Sequence, residues 1–325
     1  MTSADNWRLP ESEHDPQNRR SVLSFDDGNG GNPGSLITYY LTPHLVVHDI
    51  NIHSQRVPSF MEVELEGKPP LKVNYCFEGR CELTVCTGEY IYQEGREASI
   101  DTGQARSAFF FPSERYSGVE IVASAECVCE LSSNVLGCET SVLSSLYDRC
   151  SSREYPLITV ADDEIADAAK RISQAAKASS GIDLVAAYVL EFLLLLDRHS
   201  FQDGLRKRSY CTASQKEIAQ RAHDDVSANL SKRVSVRDLA ERYGVSETSV
   251  KNYFRNVYGI GIVEYQKDLR LQTAADMLRD SNKKVVEIAL AVGYASQSKF
   301  ITAFKERFGK TPLEHRRTSR MQVGN

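Results

Sequence analysis

Two hydrophobic rhythms divide the chain. From Leu36 to about Val122 the apolar positions come in short runs, Leu71–Phe77, Glu82–Val85, Tyr90–Tyr92 and Ser107–Phe111, rich in β-branched and aromatic residues. Gly67, Gly79, Gly88, Gly95, Gly103 and Pro112 punctuate them. Short strands at that spacing predict a sandwich or barrel. After about Leu143 the period lengthens, and Asp162–Ala178 and Ile182–His199 read as helices. The second is apolar on nearly every side, so it has to be buried in its own domain or against a second copy. A polar start and the Gly/Asn/Pro stretch Gly28–Gly34 predict a flexible segment over 1–35. That stretch lacks the spacing of a phosphate- or dinucleotide-binding loop and reads as a plain loop. The polar residues 201–214 predict a linker between a domain over 36–200 and another over 215–325.

The C-terminal part contains an internal repeat. One unit runs Val236-Arg-Asp-Leu-Ala-Glu-Arg-Tyr-Gly244-Val-Ser246, continues to Val250 and Phe254 and ends at Gly259. The other runs Val285-Val-Glu-Ile-Ala-Leu-Ala-Val-Gly293-Tyr-Ala-Ser296, continues to Phe300 and Phe304 and ends at Gly309. Each has the parts of a helix-turn-helix. A short helix carries a small alanine at the crossing point (Ala240, Ala289). Gly244 and Gly293 can take the left-handed conformation that stops it. Ser246 and Ser296 can cap the next helix by accepting from free N–H groups. Val250/Phe254 and Phe300/Phe304, four apart, turn one apolar face inward and leave the other outside. Between the units, Val263–Arg279 predicts one amphipathic helix with Leu269, Leu271, Ala274 and Leu278 on its core face.

Charge sharpens this division. The chain carries 39 Lys+Arg and 44 Asp+Glu, a net of −5. Residues 214–325 hold 20 basic and 13 acidic residues, a net of +7, which leaves 19 basic and 31 acidic elsewhere, a net of −12. A basic third beside an acidic remainder suits a part that meets a polyanion and a part that does not. With 41% hydrophobic and 26% charged residues the composition is that of a globular protein. No secretion signal or membrane-length apolar stretch is present, because Leu184–Leu196 is short and interrupted by Glu191. The expectation is a cytoplasmic protein, not associated with membrane, whose eight cysteines are free thiols.

The repeat resembles the AraC family of bacterial transcription regulators. The resemblance rests on Tyr265-x4-Arg270-Leu271-x2-Ala274-x2-Met277-Leu278, on Glu287-Ile-Ala-x3-Gly293-Tyr294 and on Ser296-Gln297-Ser298-x-Phe300-x3-Phe304-Lys305. It extends to Phe308-Gly309-Lys-Thr311-Pro312 and covers about 217–317. It implies an α+β protein: an N-terminal β-barrel, cupin-like domain with a helical dimerisation segment, then an all-α domain of two helix-turn-helix units joined by a linker helix. Asn74-Tyr-Cys-Phe-Glu-Gly79-Arg80 and Tyr116-Ser-Gly118 are loosely similar to siderophore-responsive members.

The resemblance further implies that the second helix of each unit enters the major groove of double-stranded DNA, in adjacent segments. The positions expected at base edges are Thr248, Lys251 and Asn252 in the first unit and Gln297, Ser298, Lys299 and Thr302 in the second. Lys suits guanine acceptors, and Asn or Gln can pair bidentately with adenine. The family often has Arg where this chain has Asn252 and Thr302, so its base preference does not transfer. Ser246, Arg255, Ser296, Lys305, Arg307, Arg316 and Arg317 are expected at phosphates, setting affinity and salt dependence. A small-molecule effector, a homodimer and contact with RNA polymerase are the partners implied; no cofactor is expected.

Histidine and cysteine clusters in the first part offer other chemistry. His44, His48 and His53 lack the HxH spacing of metal-binding barrels, and ordinary histidines are the expectation. Cys76, Cys81 and Cys86, with Cys127 and Cys129, form no CxxC pair, and packing is the favoured reading. A metal-dependent cupin-like enzyme or a cysteine-based redox or metal sensor fused to the DNA-binding part is the alternative. No nucleophile with a credible base stands out, so the expectation is a protein that is not an enzyme.

Overall fold

The computed structural model describes residues 12–15, 17, 19–25, 34–55, 70–85, 88–102, 110–124, 142–201, 210–228, 230–232 and 234–323. The expectations placed on Gly28–Pro33, Cys86, Ser107, Phe109, Cys127, Cys129 and most of the linker lie outside them. The chain divides into two compact units, Met1–Thr212 and Ala213–Asn325.

The first unit is built on an antiparallel sheet. Its strands are β1 (Ser12–Asp15), β2 (Arg20–Phe25), β3 (Gly34–Thr42), β4 (Leu45–Ile52), β5 (Leu71–Thr84), β6 (Tyr90–Glu94), β7 (Glu97–Asp101), β8 (Tyr116–Ala123) and β9 (Leu157–Val160). They are ordered β1-β2-β3-β4-β8-β5-β7-β9, with β6 paired to β5. Within the start expected to be flexible, Ser12–Asp15 and Arg20–Phe25 form strands. Arg20–Phe25 pairs residue by residue with Gly34–Tyr39, so its main-chain groups are satisfied by the sheet. Strand β5 is longer than the two runs that predicted it. Its register shifts between Cys76 and Glu78, and Gly79 has φ +92, a turn of the backbone that joins both runs into one bent strand. A Cβ on Gly79 would lie 1.9 Å from the Arg115 carbonyl oxygen, so only glycine fits there.

Because strand side chains alternate, the sheet has two distinct faces. One carries Ile37, Tyr39, Leu45, Val47, Val73, Tyr75, Val119 and Ile121, packed under helices α1 (Val142–Cys150), α2 (Asp163–Lys177) and α3 (Ile182–Arg198). Helix α2 starts where Asp162 accepts from the Ile165 amide at 2.9 Å, and it buries Ile165, Ala168, Ala169, Ile172, Ala175 and Ala176. Its Ser173 hydroxyl donates to the buried Asp49 carboxylate, which pins the helix to β4. Helix α3 buries Val185, Val189, Phe192, Leu193 and Leu196, yet leaves Leu184 and Leu194 exposed at 45% and 36%. Near the end of the unit Cys211 exchanges two main-chain bonds with Tyr90 at 2.8 and 2.9 Å, adding a short pairing at β6.

The second unit is helical: α4 (Ala213–Ala228), α5 (Val236–Tyr243), α6 (Glu247–Tyr258), α7 (Ile262–Asp280), α8 (Val285–Ala291), α9 (Gln297–Phe308) and α10 (Pro312–Val323). The expected linker helix is α7, extended by one residue at each end. Helices α4 and α10 were not anticipated. Thr311-Pro312-x-Glu314 carries the signal for α10, since Glu314 accepts from the Thr311 amide at 2.8 Å while its own amide donates to the Thr311 hydroxyl at 3.4 Å.

Candidate nucleic-acid interface

Each half of the helical unit is an aromatic core holding a short helix against a longer one. In the first, Phe254 stacks on Tyr258 at 4.5 Å, His223 stacks on Tyr258 at 4.9 Å, and Tyr265 bonds to His223 through Nε2 at 2.6 Å. In the second, Phe300, Phe304 and Phe308 form a ladder with centroids 5.6 and 4.5 Å apart, closed by His315 from α10. Leu271, Ala274, Leu278, Ile288 and Ala289 complete this second core. Both cores use the apolar pairs that the repeat predicted, and α7 serves both.

The two turns are made as their serines and glycines predicted. Ser246 Oγ accepts from the Ser249 amide at 3.0 Å and Ser296 Oγ from the Lys299 amide at 3.4 Å. Gly244, Gly259, Gly293 and Gly309 have φ of +67, +79, +87 and +70. Gly293 meets a tighter constraint than Gly244. A Cβ there would lie 2.7 Å from the Leu230 carbonyl oxygen and 2.9 Å from that of Ser231, whereas a Cβ on Gly244 would meet nothing within 4 Å. The turn of the second half thus packs directly against the loop before α5. A further tie, from Gln266 Nε2 to the Lys232 carbonyl at 3.0 Å, runs from α7 to the same loop.

With Val250, Phe254 and Val257 inward on α6, the helical period turns Thr248, Lys251, Asn252 and Arg255 outward. With Phe300, Ala303 and Phe304 inward on α9, Gln297, Ser298, Lys299, Thr302 and Lys305 face out. All seven residues expected at base edges are therefore exposed. Lys251 is 3.6 Å from Glu247 one turn earlier, an exposed pair that water screens. Thr302 donates to the Ser298 carbonyl at 3.1 Å, which holds its hydroxyl close to the helix.

The expected phosphate contacts divide into two kinds. Arg255, Lys305, Arg307 and Arg317 are exposed, with Arg307 3.4 Å from Asp268 and over the Phe308 ring at 5.4 Å. Ser246 and Ser296 spend their hydroxyl acceptors on the caps. Arg316 is drawn inward. Its Nε donates to the Leu278 carbonyl at 3.3 Å and its Nη2 to the Lys283 carbonyl at 2.6 Å. Those carbonyls stand at and just beyond the end of α7 and need donors. Two of its five N–H donors thus hold α10 to α7. A carbonyl left over at a helix end was the signal that sequence spacing did not convey.

Two paired helix-turn-helix halves with an exposed polar face on each second helix define a DNA-binding class of protein. Residues 239–318 match the family model described as a helix-turn-helix domain. The chain is 31% identical over 109 residues to the putative HTH-type transcriptional regulator YkgA of Escherichia coli, covering 34% of this chain and 46% of that protein. It is 32% identical over 91 residues to the HTH-type transcriptional activator AarP of Providencia stuartii, covering 28% and 67%. Among solved structures it is similar to the C-terminal domain of AraT, a response regulator of Geobacillus stearothermophilus, at 30% identity and a TM-score of 0.30, covering 31% of this chain and 84% of that one. The chain spans about half the length of other curated relatives it matches. It belongs to the AraC family.

The other signals fall elsewhere. His48 bonds through Nδ1 to the Thr38 hydroxyl at 2.8 Å, and burial, then the Lys72 charge, pushes its pKa down to about 4. His44 and His53 are exposed. Cys76 and Cys81 are buried free thiols, and burial followed by neighbouring carboxylates pushes Cys76 up to about 12. Such a thiol is a poor nucleophile. Among the described residues no group of three His, Cys, Asp or Glu is placed to hold a metal, and no helix is long and apolar enough to cross a membrane.

Proposed function

We propose that this protein is a sequence-specific DNA-binding transcription regulator without enzymatic activity, acting in the cytoplasm. Helices α6 and α9 enter adjacent segments of the major groove. Thr248, Lys251, Asn252, Gln297, Ser298, Lys299 and Thr302 meet base edges, and Arg255, Lys305, Arg307 and Arg317 meet phosphates. The observation that carries this reading is the matched pair of helices, each anchored by aromatic side chains and presenting its polar side outward.

The first unit closes as a cupin-like barrel that binds a small-molecule effector, and α3 is its dimer surface through the exposed Leu184 and Leu194. Ligand binding alters how two copies present their DNA-binding halves to DNA and to RNA polymerase. Retention of fragmented source DNA at near-physiological salt tests the central reading. Enrichment of a site with two short blocks roughly one helical turn (about 10 bp) apart supports both reading helices. Uniform, salt-sensitive retention would reject them.

A further inference from the structure

The two halves of the helical unit share α7, but not equally. Toward its C-terminal end Leu271, Ala274, Ala275 and Leu278 are buried in the second core. The first half meets α7 near its start, where Ile262 is buried and Tyr265 packs against His223, Phe254 and Tyr258 with ring centroids 5.1, 5.4 and 5.8 Å away. Apolar contact is non-directional, so such packing holds the first half on α7 without fixing its rotation about the helix. The Tyr265 hydroxyl adds one directional tie, to His223 at 2.6 Å, and a single point of attachment still permits a swivel.

Gln266 makes a second tie. It is 6% exposed, on a buried side of α7 where an apolar side chain would otherwise serve. A buried amide is unfavourable unless it is bonded, and its Nε2 donates at 3.0 Å to the Lys232 carbonyl, between α4 and α5. One turn later on the same side of α7, Arg270 lies against the turn between α8 and α9. A Cβ on Gly293 in that turn would be 3.0 Å from Arg270 Cζ, and 2.7 and 2.9 Å from the Leu230 and Ser231 carbonyl oxygens. Residues 230–232, α7 and the Gly293 turn therefore meet at one junction. Lys232 stands three residues ahead of Ser235, the cap of α5, and Gly293 three ahead of Ser296, the cap of α9. A directional bond at this junction fixes an angle that packing alone leaves open.

We infer that Gln266 is a positioning residue for DNA reading. Its bond to the Lys232 carbonyl fixes the rotation of α6 relative to α9, and so makes the protein selective for the number of base pairs between the two blocks of its site. One base pair added between the blocks moves the second by about 3.4 Å along the duplex and about 34° around it. Helices held rigidly bring both sets of side chains to base edges at one spacing, whereas halves joined through packing on α7 turn to follow. The inference rests on the reading of α6 and α9 in adjacent segments of the major groove, and names what sets their register.

The test uses the purified full chain and Gln266→Met, which keeps the length of the side chain and removes its donor. Both are titrated against synthetic duplexes carrying the two-block site enriched from source DNA, at its own spacing and with one base pair inserted or removed between the blocks. The parent is expected to lose roughly tenfold or more in affinity on either change, because a displaced helix faces the wrong bases. Gln266→Met, with an unchanged unfolding midpoint, is expected to lose less than about threefold. Should it fold poorly, Gln266→Ala, a strong helix former that leaves room for water at the Lys232 carbonyl, is expected to show the same tolerance. A folded variant whose affinity falls with spacing as steeply as the parent's, at whatever overall strength, overturns the inference, and so does a parent indifferent to spacing. Failure to enrich any two-block site instead rejects the reading of the paired helices.

Discussion

Substituting alanine at Gly293 and at Gly244 compares two equivalent positions of the repeat whose surroundings differ. Both residues have positive φ, +87 and +67, so a Cβ at either costs about 1 kcal/mol of backbone strain. At Gly244 the new methyl meets nothing within 4 Å, and about 1 kcal/mol is the whole expected loss. At Gly293 the methyl lies 2.7 and 2.9 Å from the Leu230 and Ser231 carbonyl oxygens, both main-chain atoms that cannot swing aside, and 3.0 Å from Arg270 Cζ. Forcing that loop back adds about 1–3 kcal/mol, typical of overpacking, for a total of about 2–4 kcal/mol. Urea unfolding followed by helical circular dichroism measures both variants, and specific DNA retention reports whether the spacing of the halves survives. Gly293→Ala should lower the midpoint by at least twice as much as Gly244→Ala and weaken retention more than its stability loss explains. Equal losses, or a larger one at Gly244, would refute the idea that this turn is locked against the first half.

Phe304→Ala removes a fully buried ring of the second core and is expected to cost about 3–5 kcal/mol in the same assay, with the first half's aromatic stack as an internal comparison. Lys305→Ala should reduce the slope of log affinity against log salt by about one while leaving stability unchanged. Arg316→Ala should do the reverse, lowering the unfolding midpoint with little change in slope, because the Leu278 and Lys283 carbonyls hold its guanidinium against the end of α7. A salt slope that falls in Arg316→Ala would restore it to the phosphate contacts. His48 bears on pH. Its pKa of about 4 lies below the ordinary 6.5, so the unfolded chain takes up a proton first and stability falls as pH drops from about 6.5 toward 4. The shift corresponds to at most roughly 3 kcal/mol. Asp49 and Glu120, raised by burial, act in the opposite sense in both proteins, so His48→Gln should lose stability more gently than the parent over that range; parallel curves would refute the assignment.

What sequence alone determined here is local. A serine that caps a helix, a glycine that ends one and an apolar pair four residues apart act over a single turn. The helix-turn-helix halves, the linker helix and the exposure of their polar faces could therefore be read from 100 residues of pattern. Helix α10 is equally local in its capping signal, but its face is not strongly apolar. Tertiary structure decided whatever depends on distant partners. The β1–β2 pair is ordered by Gly34–Tyr39 rather than by its own apolar content. Arg316 is placed by carbonyls more than thirty residues earlier. Thr38, His48, Glu120, Asn74 and Ser99 lie side by side across the sheet only because β8 inserts between β4 and β5. Strand register is set by non-local pairing, and a shift of one residue would have sent Glu120 into the opposite, apolar face.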